Sequence, residues 1–288
     1  MSSASDYLRG IGRRHADVYV AHTHPTAILL TGSAATGDAD GFADVDLICY
    51  YAVMPPEAQF RAVREHWHEA TGVRHGPWSA AGLGEQCTVG GVEVQIGHFP
   101  IDVVERDVVA VTEAFNTDAV LHKKVLGLLE GLPLHGGDTI ARWQARLAAY
   151  PDGLARAMVE QHLRGIFPVW YYREHLARRD AALWQQQALV EAALHILGVV
   201  AGLNRRYYSS VELKRTRRLV ATLPIAPAHL VARLEALLTG DRTTAVEQVE
   251  AIVREVIALV ERHLPEADTT VMRRQPGERE QAWAVLAP

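Results

Sequence analysis

Two aspartates, Asp44 and Asp46, open a strand-like run, Val45-Asp46-Leu47-Ile48-Cys49-Tyr50-Tyr51, and a short apolar run before them, Ala27-Ile28-Leu29-Leu30, stops at Thr31-Gly32-Ser33. Residues two apart along a strand share a face. Asp44 and Asp46 therefore present two carboxylates side by side, while Val45 and Leu47 point the other way into a core. Adjacent like charges repel unless cations sit between them. The chain must therefore build a strand, a glycine turn, a loop marked by Gly37, Asp38, Asp40 and Gly41, and a second strand with one apolar and one acidic face. Asp38 and Asp40 read as residues that solvate the loop.

A third carboxylate has the same character. Gly90-Gly91 reads as a hairpin turn, and Val92-Glu93-Val94-Gln95-Ile96 alternates cleanly, so Glu93 projects from an apolar-backed strand. Magnesium takes oxygen ligands, and two ions about 4 Å apart can activate an attacking oxygen and stabilise a leaving one. Gly32 and Ser33 suit a tight turn whose backbone N–H groups and hydroxyl hold phosphate oxygens. Asp102 is the next acid along the chain should Glu93 not serve.

This arrangement resembles the nucleotidyltransferase superfamily that includes DNA polymerase beta, the kanamycin-type aminoglycoside nucleotidyltransferases and small bacterial adenylyltransferases. The family pattern is a Gly-Ser turn, a loop of fixed length, Asp-x-Asp, and a third carboxylate on a later strand. Here it reads from Thr31-Gly32-Ser33 through Gly37 to Asp44-Val45-Asp46-Leu47. The resemblance implies that Asp44, Asp46 and Glu93 bind metal, two Mg2+ ions in all, and that Gly32 and Ser33 hold the triphosphate of ATP or another nucleoside triphosphate. Two departures stand out: Ala34 and Thr36 replace arginines often found in the loop, and Ala43 replaces the serine before the first aspartate.

From about Asp102 the pattern turns helical and stays so. Leu154 to Arg179 reads as a helix kinked at Pro168, Ala182 to Leu203 as a strongly apolar helix capped by Asn204, and Thr244 to Leu264 as an amphipathic one. The residues from Pro265 are polar. The expected fold is α/β followed by all-α: a small mixed sheet over residues 1–135, then a helical bundle over 136–288, with the boundary near the Pro133 to Asp138 loop and a Mg-nucleotide and acceptor held in the cleft between them. The region from Leu203 to Lys214 is similar to the helical C-terminal part of an uncharacterised bacterial nucleotidyltransferase-like group. It concentrates Arg205, Arg206, Lys214, Arg215, Arg217 and Arg218 against Glu212. A compact basic patch fits a compact polyanion such as a triphosphate. Lys214 and Arg205 are the expected phosphate contacts, Tyr208 or Tyr207 the expected stacking partner of a base, and Glu191 the expected general base for the acceptor hydroxyl, by analogy with the helical-domain glutamate of kanamycin-type enzymes.

Other candidates carry less. His22 and His24 lack a third ligand at metal-binding spacing, and His66 and His68 do not share a helix face. The 288 residues carry 29 Lys plus Arg and 34 Asp plus Glu, a net charge of −5, which argues against a general nucleic-acid binder. The start of the chain is unlike a signal peptide, no apolar run reads as a membrane span, and Cys49 and Cys87 read as reduced thiols. These features imply a cytoplasmic protein, and the resemblance implies an enzyme with a nucleoside triphosphate and a small hydroxylated acceptor as partners. The rival expectations are adenylylation of a protein, as in toxin-silencing members, and a non-catalytic nucleotide sensor of the same fold.

Overall fold

The computed structural model describes residues 3–172, 180–211 and 213–270. The end of the helix expected over Leu154 to Arg179, Glu212, and most of the polar tail lie outside the described residues. The chain divides into two compact units, one of Met1–Ala114 with Leu121–Ala149, the other of Phe115–Val120 with the chain from Tyr150 onward.

The first unit is α/β. Its elements in order are α1 (Ser3–Thr23), β1 (Ala27–Thr31), α2 (Gly32–Thr36), β2 (Val45–Tyr51), α3 (Glu57–Glu65), β3 (Ala70–His75), β4 (Leu83–Val89), β5 (Val92–Pro100), α4 (Ile101–Thr112), α5 (Ala119–Glu130), β6 (Leu132–His135) and α6 (Gly137–Ala148). The six strands form one mixed sheet in the order β3-β4-β5-β2-β1-β6. β2 and β5 run parallel, and the other neighbouring pairs are antiparallel. Alternation decides which side chains meet the core. Val45, Leu47, Cys49 and Tyr51 of β2, and Val94 and Ile96 of β5, join Leu8, Ile11 and Tyr19 of α1 and Phe60 and Val63 of α3 in one buried cluster. Gly12 lets α1 approach this face closely: a Cβ there would lie 3.3 Å from Leu30 Cδ1 and 3.6 Å from both Val45 and Leu47.

Two strands depart from expectation. Phe60, Val63 and Trp67 at helical spacing predict a helix over Glu57 to Thr71, but α3 ends at Glu65, and β3 follows from Ala70 as an edge strand with all but its first residue exposed. Where a loop was expected at Pro133 to Asp138, β6 pairs with β1, Pro133 facing Leu29. Pro133 is tolerated because β6 is an edge strand, where one side of the backbone needs no partner. Pairing of β6 with β1, and the burial of Ile140, Trp143 and Leu147 on α6, keep residues 132–149 with the sheet, so the contact division falls later than the expected boundary at 135.

The second unit is all-α: α7 (Asp152–Gly165), α8 (Val169–Tyr171), α9 (Ala182–Leu203), α10 (Thr216–Ala221), α11 (Leu230–Thr239) and α12 (Arg242–His263). The expected kink at Pro168 is a full stop: α7 ends at Gly165, and Ile166 is extended at φ −83°, ψ 123°. α12 buries Val249, Ile252, Val253, Val256, Ile257 and Val260, the stripe its sequence predicts. By length and composition α9 is apolar enough to span a bilayer, contrary to the sequence reading, yet 61% of the relevant window is buried inside the fold. α7 packs along α9 through two glycine sockets. A Cβ on Gly165 would meet His195 Cε1 at 2.1 Å, and one on Gly198 would meet His162 Cδ2 at 2.3 Å.

Candidate active site

The acidic strands come together as the alternation requires. Val45 pairs with Val94 and Asp46 with Gln95 across the parallel β2–β5 ladder. One step earlier on both strands, Asp44 and Glu93 are therefore neighbours. In a parallel pair, register partners face the same side, about 4.8 Å apart. Asp44, Asp46, Glu93 and Gln95 thus share the sheet face opposite α1 and α3. On β4, Thr88 lies opposite Glu93 and Gln86 opposite Gln95, so hydroxyl and amide oxygens extend the same face. Asp44 and Asp46 are half-buried and Glu93 and Gln95 exposed.

The glycine turn meets these acids directly. Thr31, the last residue of β1, pairs with Asp46. The next residue, Gly32, sits at φ +69°, and a Cβ there would lie 2.8 Å from Asp46 Oδ2. Glycine is needed twice over at this point: for the left-handed backbone, and for the room beside the carboxylate. Ser33, half-buried, follows at the start of α2. The turn closes on itself, with the amides of Gly37 and Asp38 both donating to Ser33 O at 3.1 Å.

The donor set on this face is oxygen alone, which suits a hard divalent cation such as Mg2+. Glu93 is the looser member: its Oε1 accepts a hydrogen bond from Gln95 Nε2 at 2.7 Å. Among the described residues, no group of three or more His, Cys, Asp or Glu side chains is gathered closely enough to hold a metal ion.

The remaining expected residues belong to the helical unit. Tyr208 and Tyr207 are 2% and 4% exposed, and Tyr208 donates its hydroxyl to Leu194 O at 2.8 Å while its ring meets His162 edge-on. Neither offers a free ring to a nucleobase, which corrects that expectation: apolar packing outcompetes display. Arg205 spends its guanidinium on Asp152, with Nε and Nη2 both donating to Oδ1 at 3.0 and 2.6 Å. Lys214 is exposed. Glu191 is half-buried on α9 and accepts from Gln187 Nε2 at 2.8 Å. Two of the four histidines set aside as metal ligands, His22 and His66, pack ring against ring at 4.3 Å.

Behind the acidic strands lies a buried polar network the sequence does not announce. Glu85 of β4 is 4% exposed. Its Oε2 accepts from the Tyr19 hydroxyl at 2.5 Å and from His98 Nε2 at 2.9 Å, and its Oε1 from Arg64 Nη1 at 2.5 Å. Burial alone would raise the Glu85 pKa, but the bonds from His98, Tyr19 and Arg64 prevail and hold it below the ordinary value. Burial lowers that of His98 despite the neighbouring carboxylate. The pair is thus carboxylate and neutral imidazole. Nε2–H donates to Glu85, which leaves Nδ1 to accept from the Tyr51 hydroxyl at 3.1 Å. The network fixes β4, β5 and β2 to α1 and α3 from the side away from the acids. Glu85 was detectable in principle, since Leu83, Glu85, Cys87 and Val89 alternate onto one face.

No protein-family model matches the chain, and no curated protein matches it. Among solved structures it is similar to a nucleotidyltransferase-like protein from Exiguobacterium sibiricum, with 15% identity over 92% of this chain and 78% of that one and a TM-score of 0.40. So distant a likeness assigns no residue and no substrate.

Proposed function

We propose that the protein is a nucleotidyltransferase that moves a nucleoside monophosphate, AMP from ATP by analogy with the resembled family, onto a hydroxyl of a small molecule such as an antibiotic or sugar. The observation that carries this reading is the juxtaposition of Gly32, in a left-handed turn, with the Asp46 carboxylate, beside a parallel register that aligns Asp44 and Asp46 with Glu93 and Gln95. Asp44 and Asp46 are the residues that would hold Mg2+, with Glu93 the third acid. Mg2+ would supply charge neutralisation at the triphosphate and at the attacking oxygen. The turn at Gly32-Ser33 orients the phosphates through its backbone amides and the Ser33 hydroxyl. The acceptor hydroxyl gives up its proton to a base as its oxygen forms a bond to the α-phosphorus, the bond from that phosphorus to its bridging oxygen breaks, and pyrophosphate leaves with the electron pair. Lys214 and Glu191 belong to the second unit, and their part in the reaction remains the expectation set by the sequence.

One observation favours a second reading. Glu93 is tied to Gln95, and no three-acid group is assembled among the described residues, as suits a nucleotide-binding sensor that performs no transfer. Asp44→Asn and Asp46→Asn separate the two. On the enzymatic reading, each variant folds as wild type and loses pyrophosphate release at saturating Mg2+ by about 100-fold or more, because a metal ligand contributes several kcal/mol to the transition state. Release within tenfold of wild type in both variants contradicts the assignment.

A further inference from the structure

α1 carries three residues, Ser5, Arg9 and Gly12, spaced four and three apart and therefore on one helical stripe. Each touches the part of the fold that bears the candidate site. Arg9 donates from Nε to Ala34 O at 2.8 Å and from Nη2 to Ala35 O at 2.7 Å. Its side chain is only 15% exposed, and its Nη1 lies 3.7 Å from Asp6 Oδ1. Ser5, fully buried, accepts from the Ala39 amide at 3.1 Å. Gly12 brings the helix against Leu30, Val45 and Leu47 of the two strands that flank the turn. The segment between Gly32 and Ala39 is thus gripped in its middle by Arg9 and at its end by Ser5, while Gly32 stands against Asp46.

We infer that Ser5 and Arg9 act as a clamp that sets where Gly32 and Ser33 lie relative to Asp46, and that Arg9 is a positioning residue for triphosphate binding. The binding half rests on the proposed function; the clamp itself does not. A guanidinium is suited to this work because it presents two donors in a fixed plane to successive carbonyls, and charge-assisted bonds are roughly twice as strong as neutral ones. The loop lacks an arginine of its own, with Ala34 and Thr36 at those places. Arg9 meets the same segment from α1.

The test uses Arg9→Met, which keeps the apolar stem, Arg9→Lys, which keeps the charge but lacks the planar fork that fixes two donors on two carbonyls, and Ser5→Ala. Hydrogen exchange is read at the amides of Gly37, Asp38 and Ala39 and, as a reference, at the Ile28–Leu30 ladder. Mg·ATP and AMP binding are read by calorimetry well below the melting temperature. The clamp predicts that Arg9→Met speeds exchange at Gly37 and Asp38 by about tenfold, the equivalent of 1.4 kcal/mol, and leaves the ladder within about twofold of wild type. Ser5→Ala speeds Ala39 alone, and Arg9→Lys falls between wild type and Arg9→Met. Positioning predicts that Arg9→Met weakens Mg·ATP about tenfold and AMP far less, with partial recovery in Arg9→Lys. Unchanged exchange overturns the clamp. Faster exchange with wild-type Mg·ATP affinity leaves Arg9 structural and overturns its positioning role. A wild-type protein that binds no Mg·ATP removes that role together with the proposed function, and the exchange measurement still decides the clamp. Should Arg9→Met fail to fold, Arg9→Lys and Ser5→Ala carry the same comparisons.

Discussion

Gly32→Ala isolates the geometry on which the site rests. The residue occupies φ +69°, and a Cβ would sit 2.8 Å from Asp46 Oδ2 and 3.9 Å from its Cγ. Two costs follow, separable by their dependence on Asp46. A left-handed backbone costs a non-glycine residue about 1–2 kcal/mol whatever surrounds it. The close contact adds overpacking, about 1–3 kcal/mol where neighbours cannot move freely, and less if the half-buried carboxylate swings aside. We expect Gly32→Ala to destabilise the protein by about 2–4 kcal/mol in the wild-type background. In an Asp46→Ala background, where the carboxylate is gone, it should cost about 1–2 kcal/mol, the backbone part alone. Urea unfolding followed by both circular dichroism and tryptophan fluorescence measures this, with coincident transitions checked because the chain has two units. A cost below about 0.5 kcal/mol in wild type, or an equal cost in both backgrounds, would refute the claim that Gly32 is there to back onto Asp46.

Glu85→Ala removes the acceptor of three donors in a dry setting; it should cost about 3–5 kcal/mol by denaturant unfolding, and a loss below 1 kcal/mol would dissolve the network argument. His15, His98 and His195 all have pKa values pushed below the usual imidazole value of 6.5, chiefly by burial. Their folded-state preference is for the neutral form, so stability is full above pH 6.5 and falls as pH drops below it through the lowered folded values, by up to about 1.4 kcal/mol per pH unit for His98 alone; constant stability between pH 7 and 5.5 would contradict this. Gly165→Ala should cost about 1–3 kcal/mol because its Cβ would enter the His195 ring, and most of that cost should vanish in a His195→Ala background; equal costs would mean the socket is not what limits the position.

The acidic strands were legible because alternation is a strict code: one-residue spacing of Asp44 and Asp46 on an otherwise apolar strand leaves no other face for them, and the same holds for Glu93. The parallel β2–β5 pairing was not legible, since nothing local specifies which strands become neighbours. β3 escaped because its exposed edge residues carry no apolar period, and β6 because Pro133 reads as a loop. Tyr207 and Tyr208 misled for the opposite reason: directly after Arg205 and Arg206, they look like a ligand surface, whereas both are buried and Tyr208 is bonded to Leu194, as packing residues are. Arg9 gave no signal at all. It is one of several arginines on α1, and only the fold shows that its guanidinium meets the segment after Gly32.

The central claim, transfer of a nucleoside monophosphate at the Asp44–Asp46 face, is tested most directly by phosphorus NMR of the protein with Mg2+, each of the four ribonucleoside triphosphates, and a pool of hydroxylated metabolites. The account predicts equimolar appearance of pyrophosphate and a new phosphodiester resonance with at least one triphosphate, and neither with Asp46→Asn. Release of inorganic phosphate with nucleoside diphosphate would place the cleavage at the wrong phosphorus. Tight triphosphate binding with no product across the pool would make the protein a sensor and contradict the claim.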